Sequence, residues 1–160
     1  AKQNGIRVCT YPDLRWERCD IKSLNLLPNV LAENEAHRRG CDEAILVDRR
    51  GDITEGASSA FFQVWEDKRM LTTRPLGHNI LPSITRRIIT KIAPAAGLTL
   101  AERIVTPAQA SSADELFTAV TTKDVLGVVE FNGKKIGDGK PGPFTRRLMQ
   151  EFAKVTAEGL

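Results

Sequence analysis

Short apolar runs, each closed by a turn-forming pair, recur along most of this sequence and restrict what it can fold into. Runs at 6–11 and 14–20 flank Pro12-Asp13, and runs at 43–48 and 53–54 flank Arg50-Gly51-Asp52. Runs at 60–66 and 69–73 flank Asp67-Lys68, and strand-like segments follow at 98–105, 114–120 and 126–131. The last ends at Asn132-Gly133, a hairpin signal. Helical spacing breaks through at fewer places. Residues 28–39 open with Pro28 and stop at Gly40, with Val30 and Leu31 as the expected apolar face. In 83–97 the apolar residues Ile84, Ile88, Ile89 and Ile92 share one face, Ser83 suits the N-cap and Gly97 the stop. A short helix is expected near Pro107, and Phe144, Leu148, Phe152 and Val155 line a closing one. About eight strands and four helices in mixed order predict an α/β (mixed α and β) fold around a mixed sheet.

Composition narrows the function. At 160 residues, 41% apolar and 27% charged, the chain suits one domain with a full core. Its net charge of +3 comes from scattered doublets such as Arg38-Arg39 and Arg86-Arg87 with few aromatics between them, so no nucleic-acid partner is expected. No apolar run approaches the roughly 18 to 20 residues of a membrane span, and none resembles a signal peptide. Cys9, Cys19 and Cys41 lack metal or redox spacing and read as free thiols of a reducing, cytoplasmic compartment; no metal site is expected. His37 and His78 stand apart, and His37 reads as solvated. The numbered chain begins at Ala1, not Met, and is expected to be a processed or truncated piece of a longer protein.

Four stretches carry chemistry. CDIKSLNLL places Lys22 in a run that otherwise reads as built for burial. ITEGASSAFF sets Glu55 before a small-residue turn, where a solvated glutamate is the ordinary expectation. LPSITRRI brings hydroxyls to a helix start, and ADELFTAVTT ends a strand on Thr121-Thr122; free amides and hydroxyls of this kind bind anions. GKKIGDGKPGPFT invites a phosphate-loop reading but lacks its first glycine and its hydroxyl. A lysine for an aldehyde, a carboxylate for a ring nitrogen and hydroxyls for a phosphate are together what pyridoxal phosphate requires.

RCDIKSLNLLPNVLA, ITEGASSAFF, ILPSITR, ADELFTAVTT and IGDGKPGPFT, in this order, resemble the fold-type IV pyridoxal-phosphate transaminases from about residue 6 to 152. IKSLNLLPNVLA is similar to the D-amino acid branch; branched-chain enzymes and aminodeoxychorismate lyases share the architecture. The resemblance implies a large-domain mixed sheet forming a pseudo-barrel flanked by helices. Lys22 would be the catalytic lysine that forms the internal aldimine, and Glu55 would pair with the pyridine nitrogen. Ser58 and Ser59 would line the ring, and Ile84, Thr85 and Thr121 would bind the phosphate. It further implies amino transfer between an amino acid and a 2-oxo acid in a homodimer. Residues 1–160 would be the C-terminal cofactor-binding domain, with the smaller N-terminal domain absent and the isolated piece inactive without it. Ala60, Val120 and Leu126-Gly127 depart from the family pattern.

Overall fold

The computed structural model describes residues 3–157, which form nine strands and four helices. In chain order these are β1 (Ile6–Pro12), α1 (Leu27–Arg38), β2 (Glu43–Val47), β3 (Ile53–Gly56), β4 (Ala60–Trp65), β5 (Met70–Thr73) and α2 (Ile84–Ile92). Then follow β6 (Thr99–Glu102), α3 (Pro107–Ala110), β7 (Glu115–Val120), β8 (Asp124–Phe131), β9 (Lys134–Lys135) and α4 (Pro143–Ala157).

One sheet runs β3-β2-β1-β8-β7-β4-β5-β6, with β9 paired to β8. β1 lies parallel to both β2 and β8, and β5 is parallel to β6; the other pairings are antiparallel, so the sheet is mixed as expected. β3 and β4 stand five places apart in that order, yet only residues 57–59 join them. A flat sheet would separate them by roughly 24 Å, more than so short a link spans. The sheet therefore curls into a half-barrel.

Alternation along the strands builds two cores. Phe61, Leu116, Leu126 and Val128 turn toward one core, shared with Ile6, Val8, Ile45 and Phe131. Phe62, Phe117 and Val125 turn to the other face, where Ile88, Ile89, Leu148 and Phe152 of α2 and α4 cover them. Phe62 and Phe117 stack with centroids 4.8 Å apart, worth about 0.5–1.5 kcal/mol beyond burial.

Two expectations fail. Residues 14–20 form no strand; everything between β1 and α1 is an irregular loop. Side-chain bonds from Asp13 and Arg15 to β3 and to Asn79 fix its start in place of a ladder. Helix α1 also turns Val30 and Leu31 outward, and buries only Ala32 and Ala36 against Ala44 and Leu46.

Candidate active site at the mouth of the half-barrel

A cleft of about 570 Å³ opens where the 13–26 loop, α1, the β3–β4 turn, the start of α2 and the β7–β8 turn converge. Lys22, Glu55, Ser58, Ser59, Thr85 and Thr121 all line it. Four separate stretches of sequence thus meet on one cleft. Ile84 does not line the cleft, and its side chain is 61% exposed.

Lys22 is exposed in the loop, and its neighbours Ile21, Leu24 and Leu26 are themselves 46%, 94% and 50% exposed. The expectation that this stretch is built for burial is therefore wrong. Ile21 and Leu26 line the cleft.

Glu55 is the reverse case. It belongs to β3, not to the turn, and is 7% exposed. Its Oε1 accepts from Arg15 Nη1 at 2.5 Å and from the backbone N–H of Leu81 at 3.1 Å. Burial pushes its carboxyl above the ordinary range, while the Arg15 guanidinium pulls the other way. Arg15 also grips Asp13 through two nitrogens and donates to the Asn79 carbonyl at 2.9 Å. Burial raises Asp13 too, but the hydrogen bonds and charge of Arg15 outweigh it and hold that carboxyl low.

The anion-binding features meet at the opposite wall. Ser83 caps α2, its Oγ accepting from the N–H of Arg86 at 3.0 Å. The first amides of a helix have no partner within it, so those of Ile84 and Thr85 remain available. Thr85 Oγ1 and Thr121 Oγ1 lie 3.3 Å apart, joining helix start to strand end. Hydroxyls, free amides and a positive dipole end together suit a phosphate group.

Sequence reasoning missed three residues here: Arg15, Glu33 and Glu43. Glu33 faces the cleft from α1, and burial, with Glu43 nearby, raises its carboxyl to about 7. Glu43 opens β2 beneath the β3–β4 turn and is 6% exposed. The signal for Glu43 was present: an acidic residue leading straight into the apolar run AILV. Among the described residues no group of His, Cys, Asp or Glu is placed to hold a metal ion. No helix there is long and apolar enough to cross a membrane.

A curled mixed sheet with its cleft at this mouth is the fold-type IV architecture, and solved structures share it. The branched-chain amino acid aminotransferase of Thermobaculum terrenum in its PLP holo-form superposes with a TM-score of 0.89 at 29% identity, covering 96% of this chain and 52% of that one. The Escherichia coli branched-chain enzyme gives a TM-score of 0.84 at 30% identity, over 96% and 53%. In sequence, the profile of the family described as amino-transferase class IV matches residues 1–131. This chain belongs to that family. It is 41% identical over 153 residues to the D-alanine aminotransferase of Staphylococcus haemolyticus, covering 95% of this chain and 53% of the relative. It is 40% identical over 147 residues to that of Bacillus licheniformis, over 92% and 51%. The chain thus spans about half the length of the curated relatives it matches.

Proposed function

We propose that this chain is the cofactor-binding half of a pyridoxal-phosphate-dependent aminotransferase, moving an amino group between a D-amino acid and a 2-oxo acid. The observation that carries this is the meeting of Lys22, Glu55 and the Thr85–Thr121 hydroxyl pair on one cleft. When bound, the cofactor supplies an aldehyde for an amine and a ring that accepts electrons. The chain's own groups suit it. The Lys22 amine would be the group that holds the aldehyde, and when free it would serve as the base that moves the substrate Cα proton. Arg15 and Leu81 occupy chiefly Oε1 of Glu55, which leaves Oε2 to hold the proton of the ring nitrogen. Thr85, Thr121 and the amides of Ile84 and Thr85 would hold the phosphate, and such remote binding would help hold the reacting group in place. Ser58 and Ser59 line the cleft where they would flank the ring.

The D preference follows the D-alanine aminotransferase relatives. The branched-chain structural neighbours favour a second reading, an L-branched-chain donor, and turnover with D-alanine against L-leucine separates the two. The half-length match supports residues 1–160 as one domain of a longer enzyme, which we take to be the large C-terminal one; the family resemblance further suggests a cytoplasmic homodimer with a small domain contributed by further chain. The test is borohydride fixation. The chain incubated with pyridoxal phosphate and reduced should carry the label on the Lys22 peptide; a label on Lys91 or Lys123 instead would overturn the assignment.

A further inference from the structure

Glu43 lies beneath the cleft wall and does not reach its surface. Its Oε1 alone accepts three hydrogen bonds: from Ser59 Oγ at 2.6 Å, Ser58 Oγ at 3.1 Å and the backbone N–H of Ser58 at 3.2 Å. Gly56 makes room for this, because a Cβ there would fall within 2.5 Å of Glu43 Oε1. A serine hydroxyl carries one proton and two lone pairs. The Ser59 proton points down to the carboxylate, and the Ser58 hydroxyl lies between the Glu43 and Glu33 carboxyls, so neither proton is left over for a group seated against them and both oxygens offer it lone pairs.

We infer that Glu43 is a positioning residue that fixes the hydrogen-bond polarity of the cleft wall: it makes Ser58 and Ser59 acceptors, and the group seated against them a donor such as a protonated amine. The inference rests on the aminotransferase reading for the identity of that amine, and on the hydrogen bonds for everything else. The charged groups around Glu43 are Glu33 of α1, which repels it, and Lys123 of the β7–β8 turn, which attracts it; His37 of α1 acts on Glu33. Burial, the largest influence, pushes the Glu43 carboxyl up against the opposing serine bonds. As pH falls Glu43 takes up a proton, and the serine hydroxyls become free to turn and donate into the cleft.

The first experiment needs no cofactor. In the chain by itself, the amide proton of Ser58, bonded to the carboxylate, should show a titration step by NMR that disappears in Glu43→Gln. Ser58→Ala, which keeps the backbone N–H, should keep the step. The second uses the chain loaded with pyridoxal phosphate and follows the pH midpoint of its colour change. Glu43→Gln should move that midpoint down by roughly half a unit or more beyond any through-space effect of its charge, the excess being what the oriented hydroxyls transmit. In a Ser58→Ala/Ser59→Ala background only the through-space part should remain, so the same change should move it clearly less. No titration step in the wild type would overturn the inference, as would equal shifts in both backgrounds or a lowered melting temperature with the midpoint unmoved. Failure of the wild type to take up cofactor would count against the aminotransferase reading, and the amide titration would then decide this one. Glu43→Asp, which keeps the charge, guards against a glutamine variant that does not fold.

Discussion

Without its guanidinium, Arg15 would leave Asp13 and Glu55, each with a side chain 9% exposed, facing each other with no counter-charge. Removing one partner from such a buried network costs about 3–5 kcal/mol. Arg15→Met should therefore lose that much stability in urea at neutral pH. It should recover part as pH falls, because the stranded carboxyls can then protonate. Glu55→Gln should retain the cofactor and lose most of the amino-transfer half-reaction rate in an active form, since an amide does not keep the ring nitrogen protonated. An unchanged rate would return Glu55 to a purely structural role. Glu33 sets a different pH window. Its folded value near 7 lies above the ordinary 4.5, so its stabilising contribution is complete below about 4.5 and is lost as pH rises through 7. Glu33→Gln should flatten that decline, by at most about 1 kcal/mol after solvent screening of a half-exposed side chain. Lys22, Glu55, Thr85 and Thr121 were legible in the sequence because each sits in a motif. Arg15 was not. Its burial is created by β3 and by Asn79, 40 and 64 residues further on, and its local sequence shows only a charge two places after an aspartate.

Elements whose own periodicity matches their burial were legible. The isoleucine spacing of 83–97 yields α2 with Ile88, Ile89 and Ile92 buried, although the helix ends at Ile92 and residues 93–97 turn. Ser83 caps it as expected, and Ser83→Ala should cost about 1 kcal/mol, measurable by thermal unfolding. The same change loosens the first turn that carries Thr85, so cofactor affinity should fall with it. What stayed illegible depends on distance between elements. The 14–20 run has strand-like composition, but its start is tied to β3 and Asn79 by side-chain bonds and not by a backbone ladder. α1 has its larger apolar residues on the side away from the sheet. The Leu126-Gly127 departure from the family also becomes intelligible at this scale. A Cβ on Gly127 of β8 would lie 2.7 Å from Pro141 Cβ, where the chain entering α4 crosses the strand. Gly127→Ala should destabilise by about 1–3 kcal/mol through overpacking.

Around the cleft Trp16, Ile21, Leu26 and Val30 are exposed apolar lining residues, each 42–50% accessible. That exposure is as expected if further chain covers them in the proposed complete enzyme. A phosphate contact supplied by that further chain would be worth about 1.5–3 kcal/mol as a charge-assisted hydrogen bond. Pyridoxal phosphate should then bind the 160-residue chain about tenfold to a hundredfold more weakly than it binds a full-length D-alanine aminotransferase, by titration of the bound chromophore. Equal affinities would show that the cleft lacks nothing. The place of β1 has a consequence in time as well. It is held between β2 and β8, so Ile6 pairs with Val128, a partner synthesised more than a hundred residues later. Pairings so remote in sequence slow folding, because the loop must close before any contact rewards it. On the ribosome the first strand emerges long before β8 exists, with one edge unpaired and open to other chains. Refolding should be slow and limited by this closure, and translation halted before residue 124 should leave β1 accessible to protease however long the nascent chain is given to settle.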